Sequence, residues 1–156
     1  MSDTRVSTFA ATVLLVDSFK EDRQYWTDRL HISSPSYVVL EADTGAAGLA
    51  VCQSQRIDCV VLELNLPDMP GFELLVKLVP RALHPEIAVI ILSRIEQLAI
   101  AELAEDNGAH KFLFKSRASG DQLSMAIQQA IAAVGPVTKQ LSAHTLTSRH
   151  VDLASE

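Results

Sequence analysis

Five short apolar segments alternate along this chain with segments that follow a helical repeat. The apolar segments are nearly continuous, which is typical of parallel strands in a sheet that is covered on both faces. They span residues 12–16, 37–42, 58–64, 86–92 and 110–114. Strict alternation of strands and helices predicts right-handed crossovers with helices on both sides. We therefore expect an α/β fold in which a five-stranded parallel sheet is doubly wound with five helices.

The predicted helices lie between and after these strands, at residues 20–31, 44–54, 71–79, 96–107 and 120–134. The last helix has the clearest pattern, because Leu123, Ile127 and Ile131 fall on one stripe. Ser119 and Gln122 have the spacing of a capping box at its start.

Length and composition favour one globular domain with an N-terminal extension and a tail. The chain has 156 residues, of which 48% are hydrophobic and 21% charged, and this argues against disorder. We expect the domain at 11–134 and an extension at 1–10, which lacks the apolar core of a signal peptide. Residues 135–156 begin with Gly-Pro and are mostly polar, so we interpret them as a tail or linker.

Charge and cysteine usage exclude several kinds of function. The net charge is −6 without a dense Lys/Arg cluster, so we expect no nucleic-acid binding. No run approaches the roughly 18 apolar residues that a membrane span needs. Cys52 and Cys59 lack metal-like spacing and are expected to be reduced, as in a cytoplasmic protein. His31, His84 and His110 form no evident ligand cluster.

Polar side chains follow four of the predicted strands at the point where each strand ends. Asp17 and Ser18 follow the first strand, and Glu63 ends the third. Ser93 and Lys115 follow the fourth and fifth. Functional groups of open α/β sheets collect at the carboxyl ends of the strands. We therefore expect these side chains to lie together at one edge of the sheet.

These segments, in this order, resemble the receiver domains of two-component response regulators over about residues 11–134. The matching motifs are "VLLVDS", "DCVVLELNLPDMPGFELL", "AVIILS" and "NGAHKFLFKS". The resemblance implies a flavodoxin-like topology. In that family an aspartate accepts a phosphoryl group from a histidine kinase, and it holds Mg²⁺ together with two acids after the first strand. A hydroxyl and a lysine then bind the new phosphate, and an aromatic residue swings inward.

The resemblance assigns a position in this site to six residues of the chain. They are the phosphoacceptor equivalent Glu63, the acidic-pocket positions Asp17 and Ser18, the switch positions Ser93 and Phe112, and the phosphate-binding equivalent Lys115. From the residues alone, Ser93 is also compatible with a plain strand end, and Phe112 with an ordinary core aromatic.

Two departures from the family pattern argue against ordinary phosphorylation. Glu63 replaces the aspartate, and Ser18 replaces the second acid, which leaves Asp17 alone. An extra methylene moves a carboxylate by about 1.5 Å, a carbon–carbon bond length. A shift of about 1 Å can lower a rate on the order of 100-fold. Mg²⁺ also needs well-placed oxygen ligands, so we expect a weak Mg²⁺ site at Asp17 and Glu63 or none, and no cofactor.

A third departure is Ser116, where the family usually has a proline behind a cis peptide bond. A cis bond before serine costs roughly 3 kcal/mol. We therefore expect a trans bond here and a changed surface beside the last helix.

Three interpretations of Glu63 remain open. Its carboxylate can reach Ser93 and Lys115 and so substitute in part for a phosphorylated aspartate. It can instead form a structural ion pair that fixes no switch state, or it can retain some phosphorylation chemistry. Asp17 is expected to pair with Lys115.

The leading functional hypothesis is a degenerate receiver, not an enzyme, that acts through protein–protein contact. The resemblance implies a histidine kinase, another receiver or a fused output domain as partner, through residues 96–134, and a homodimer is possible. One alternative is a working phosphoacceptor with unusual chemistry. Another is a small-ligand-binding flavodoxin-like domain, although the sequence contains neither G-x-G-x-x-G nor G-x-x-x-x-G-K-[ST].

Overall fold

The computed structural model of this chain describes residues 10–134. The predicted tail at 135–156 and nearly all of the predicted extension lie outside the described residues. The strands are β1 (Thr12–Val16), β2 (Val38–Ala42), β3 (Cys59–Leu62), β4 (Ala88–Ser93) and β5 (Lys111–Phe114). All are parallel, in the order β2-β1-β3-β4-β5. The predicted α/β fold is therefore confirmed.

The helices lie close to their predicted positions. They are α1 (Lys20–Ser33), α2 (Gly45–Ser54), α3 (Gly71–Leu78) and α4 (Leu98–Asp106), followed by α5, which is described over residues 120–134. The predicted capping box of α5 is present. The Ser119 N–H donates to Gln122 Oε1 at 2.9 Å, and the Gln122 N–H donates to Ser119 Oγ at 3.1 Å. Among the described helices none is long and apolar enough to cross a membrane.

The sheet has an apolar layer on each face because alternate residues of a strand point to opposite sides. In β1, Val13 and Leu15 pack with Trp26 of α1 and with the apolar stripe of α5. Leu14 and Val16 belong to the opposite layer, which contains side chains from α3 and α4. Both layers end at the carboxyl edge of the sheet.

The strand register sets the geometry of that edge. Val16 pairs with Leu62, so the residues that follow them, Asp17 and Glu63, are neighbours across β1 and β3. The register of β4 and β5 pairs Ser93 with Phe114, and Lys115 follows directly. The expected convergence of polar side chains is therefore a consequence of strand order and register.

Candidate functional site

Backbone hydrogen bonds extend the ladders by one residue beyond the strands and orient the site. The Glu63 N–H donates to the Val16 carbonyl at 2.9 Å. The Lys115 N–H donates to the Ser93 carbonyl at 2.8 Å. These bonds place the side chains of Glu63 and Lys115 over the ends of the central strands.

Glu63 is a buried carboxylate with four hydrogen-bond donors. Its side chain is 1% exposed. Oε2 accepts from Ser93 Oγ at 2.6 Å and from the Asn65 N–H at 3.1 Å. Oε1 accepts from Lys115 Nζ at 2.8 Å and from the Arg94 N–H at 3.3 Å. A buried charge is tolerated when it is paired and hydrogen-bonded in this way.

Lys115 is held by three carboxylates. Its Nζ lies 2.6 Å from Asp17 Oδ2, 2.8 Å from Glu63 Oε1 and 2.8 Å from Asp22 Oδ2. Burial alone would lower the pKa of Lys115, but the hydrogen bonds to Asp17, Asp22 and Glu63 outweigh it and raise the pKa above 10.5. The ammonium is therefore charged at neutral pH, and the expected Asp17–Lys115 pair is present.

The two aspartates of the site differ in their protonation behaviour. Burial raises the pKa of Asp17, and the hydrogen bond from Lys115 offsets that effect only in part. Burial acts in the same direction on Asp22, but hydrogen bonds from Lys115 and Arg94 outweigh it and lower the pKa of Asp22. Asp22 is thus the more strongly ionised of the two.

Sequence reasoning missed Asp22. It lies in the first turn of α1, four residues after Ser18. Ser18, the position of the family's second acid, lies half-exposed in the loop between β1 and α1, and the described ion pairs of Lys115 are with Asp17, Asp22 and Glu63. The signal that could have revealed Asp22 was an acid in the first turn of the helix that follows the expected position.

Both switch positions are buried. The Ser93 hydroxyl, besides donating to Glu63, accepts from the Ile95 N–H at 3.1 Å and so reaches the loop after β4. Phe112 is 8% exposed and packs in the layer formed with α3 and α4. Its ring centroid lies 5.6 Å from that of Phe114 in an edge-to-face arrangement.

Ser116 connects two loops at the rim of the site. Its hydroxyl donates to Glu96 Oε2, and Arg117 Nη2 lies 3.6 Å from Glu96 Oε1. The described residues contain no cis peptide bond, so the bond before Ser116 is trans, as expected. The loop after β4 is therefore tied to the loop after β5 at the position where the family usually has a proline.

Asp68 has a structural task that the sequence did not suggest. The side chain is exposed, but its two oxygens accept from the N–H groups of Gly45 and Ala46 at 2.8 Å each. Asp68 thereby connects the loop that follows Glu63 to the start of α2, where a carboxylate is electrostatically favoured.

Residues 10–134 contain no group of three or more His, Cys, Asp or Glu residues arranged to hold a metal ion. His31, His84 and His110 are thus not brought together as ligands.

The two free cysteines differ in their exposure to solvent. Cys59 is buried, whereas Cys52 is half-buried. Burial raises the pKa of both.

Comparison with known proteins identifies the family of this chain. A family model described as the response regulator receiver domain matches residues 13–128. The nitrate/nitrite response regulator protein NarL of Escherichia coli (strain K12) is 33% identical over 122 residues, which cover 78% of this chain and 55% of NarL. The transcriptional regulatory protein UhpA of Salmonella typhimurium is 32% identical over 116 residues, or 74% of this chain and 56% of UhpA. The chain spans about half the length of these two regulators.

Solved structures show the same architecture. A response regulator receiver domain protein from Clostridium thermocellum has a TM-score of 0.68 at 30% identity, covering 79% of this chain and 95% of that chain. The receiver domain of a putative LuxO repressor from Vibrio parahaemolyticus has a TM-score of 0.70 at 20% identity, covering 81% and 93%, and supports the fold alone. Since the family model covers most of the sequence, the chain belongs to the response regulator receiver domain family.

Proposed function

We propose that this chain is a degenerate receiver of a two-component system that signals through protein–protein contact without phosphorylation at Glu63. One observation carries the proposal: the Glu63 carboxylate is already bonded to Ser93 Oγ and Lys115 Nζ. In the family these two positions bind the phosphate of the phosphorylated aspartate. Glu63 would act as a partial substitute, because a carboxylate has less charge and fewer acceptor oxygens than a phosphoryl group.

The arrangement of acids supports a site that works without Mg²⁺. Asp17 and Glu63 each direct an oxygen to the same ammonium group, so a cation between them would have to displace Lys115. Ser18 supplies no carboxylate, and Mg²⁺ is demanding about ligand geometry. The donor set thus fits an ammonium ion better than Mg²⁺, and Lys115 supplies a positive charge between Asp17 and Glu63.

The partner surface that we propose is formed by α4, β5 and α5, within residues 96–134. Leu98 and Leu103 of α4 and Met125 of α5 are large apolar side chains exposed to solvent. A groove of about 360 Å³ lies between β5 and α5, with Phe114 and Met125 in its lining. Exposed apolar groups of this kind favour a protein partner, such as a histidine kinase, another receiver, a fused output domain or a second copy of the chain.

Intact-mass spectrometry after incubation with acetyl phosphate and Mg²⁺ tests the proposal. We expect no phosphoryl adduct on the wild-type chain. The extra methylene of Glu63 displaces its carboxylate from the position of the family's aspartate. The Ser93 hydroxyl and the Lys115 ammonium, which would bind the phosphate, are already bonded to that carboxylate. The matched variant Ser18→Asp/Glu63→Asp restores both acids of the family pattern and is expected to form an adduct under the same conditions.

A conventional receiver domain treated in parallel shows that the donor is active. A metal-dependent adduct on the wild type, mapped to Glu63 or Asp17, would contradict the proposal. That result would support the alternative of a working phosphoacceptor with unusual chemistry.

A further inference from the structure

We propose that Arg94, clamped by Asp22 and stacked on Phe19, forms a gate over the Glu63–Lys115 pair and shields it from small charged reagents. The inference rests on the proposed function, since it supplies a second physical reason why phosphodonors do not react at Glu63. It assigns a role to three side chains outside the set of family positions.

The charged groups of the site are arranged in layers of increasing exposure. The side chains of Glu63, Asp17 and Lys115 are 1%, 2% and 8% exposed. Those of Asp22 and Arg94 are 21% and 57% exposed. The Asp22–Arg94 pair therefore lies on the solvent side of the buried ions, where a reagent would have to enter.

A single oxygen joins the outer layer to the inner one. Arg94 Nε and Nη2 donate to Asp22 Oδ2 at 3.1 and 3.0 Å. The same oxygen accepts from Lys115 Nζ at 2.8 Å. Because the Arg94 N–H also donates to Glu63 Oε1, both the backbone and the side chain of Arg94 are held at the site.

Phe19 completes the cover from the opposite loop. Its ring centroid lies 4.1 Å from Arg94 Cζ and 5.3 Å from Lys115 Nζ, within cation–π range of both. The backbone that carries this ring is held at the site, because the Phe19 N–H donates to Asp17 Oδ1 at 2.9 Å. Phe19 from the β1–α1 loop and Arg94 from the β4–α4 loop thus form a stacked layer above Lys115.

The strength of the contacts suggests a gate that opens rather than a permanent wall. Arg94 is mostly exposed, and exposed ion pairs contribute only about 0–1 kcal/mol. The buried pairs beneath it do not depend on Arg94, since Lys115 keeps Asp17 and Glu63 as partners. Movement of Arg94 would therefore expose the ions beneath while leaving their own pairs in place.

Acylation of Lys115 measures access to the site directly. The full chain is treated with the sulfosuccinimidyl ester of acetic acid, and peptide mass spectrometry follows Lys115 relative to the exposed Lys77. We expect slow acylation in the wild type and a severalfold faster reaction in Arg94→Ala. Loss of the Arg94 charge would raise the pKa of Lys115 and slow acylation, so a faster reaction reports access.

Two further variants make the result decisive. Arg117→Ala removes an exposed arginine that pairs with Glu96 on the neighbouring loop, and it should leave Lys115 acylation unchanged. Phe19→Leu removes the aromatic ring while keeping every charge, and it should also accelerate acylation. Loss of the cation–π contact makes the Lys115 ammonium easier to deprotonate as well, so Arg94→Ala is the variant that decides the test. Circular dichroism verifies that each variant is folded.

The gate is wrong if Lys115 reacts as fast as Lys77 in the wild type, or if Lys115 of Arg94→Ala does not react faster than Lys115 of the wild type. If either of these acylation results is obtained and no phosphoryl adduct forms on Glu63, the gate is wrong but the proposed function stands. A phosphoryl adduct on wild-type Glu63 contradicts the proposed function whatever the acylation rate.

Discussion

At the scale of single residues, Lys115 couples the charge of the site to the stability of the fold. Its folded-state pKa is raised above 10.5 because three carboxylates bind the charged form. A raised pKa means that the stabilisation is fully present below the unfolded value and is lost as pH rises through the folded value.

Removing this lysine should therefore destabilise the protein in a pH-dependent way. Lys115→Met leaves the buried acids Asp17 and Glu63 without their cation, whereas Asp22 keeps Arg94, and we expect a loss of about 3–5 kcal/mol at neutral pH. The difference from wild type should shrink as pH rises beyond 10.5. Urea unfolding at several pH values on both sides of that point provides the measurement.

Lys77→Met is the matched control, because Lys77 forms an exposed pair with Glu73 at 3.6 Å. Its loss should be at most about 0.5 kcal/mol at every pH. A Lys115→Met difference that stays constant with pH would show that the ammonium charge does not stabilise the fold.

Side-chain contacts could be predicted from the sequence where both residues lie at the carboxyl ends of strands. The Asp17–Lys115 pair and the reach of Glu63 to Ser93 follow from parallel strand order. Asp22 was missed because it does not end a strand and because the first turn of a helix is an ordinary place for an acid.

At the scale of elements, the β3–α3 loop determines how Glu63 is presented. α3 begins at Gly71, whose N–H donates to the Leu64 carbonyl at 2.8 Å. A Cβ atom at Gly71 would lie 2.5 Å from Leu64 Cα and 2.9 Å from the Glu63 carbonyl oxygen. Both are backbone atoms, so the loop itself would have to move.

Gly71→Ala should therefore lower the free energy of unfolding by about 1–3 kcal/mol, the usual range for overpacking. Gly45→Ala is the matched control, because the nearest atoms to its Cβ belong to the flexible Met69 side chain, the first at 2.6 Å, rather than to the backbone. Urea unfolding of both variants gives the comparison. Equal losses would mean that the close backbone approach at Gly71 is unimportant.

The observed end of β3 differs from the predicted one, because the buried segment continues beyond the last residue that pairs with a neighbouring strand. The third apolar run was predicted to continue as a strand to residue 64, but β3 ends at Leu62. Leu64 is still buried, because the loop folds back over the core layer. An apolar pattern reports burial, whereas strand ends depend on hydrogen bonds to a neighbouring strand.

At the scale of the whole molecule, one sheet belongs to both apolar layers. Each buried strand contributes alternate side chains to the two layers, as Leu14 and Leu15 do in β1. Neither layer can lose its strands without disrupting the other, so cooperative unfolding is expected.

Trp26 permits a direct test, because it is the single tryptophan of the chain. It is buried in the apolar layer that α1 and α5 form on one face of the sheet, the α1–α5 layer. Its fluorescence and the far-UV circular dichroism of the whole chain should change at the same urea concentration. A fluorescence transition at lower urea would indicate that the α1–α5 layer unfolds separately.

The sequence by itself determined the α/β class, the strand positions and the set of polar residues at the carboxyl edge of the sheet. These follow from local periodicity and from the rule that parallel strands end together. Only the tertiary structure decided that Asp22 binds Lys115, that Arg94 and Phe19 cover the pair, and that Glu96 joins Ser116. Those contacts depend on how loops distant in sequence pack against one another, and side-chain packing across elements leaves no periodic pattern in the chain.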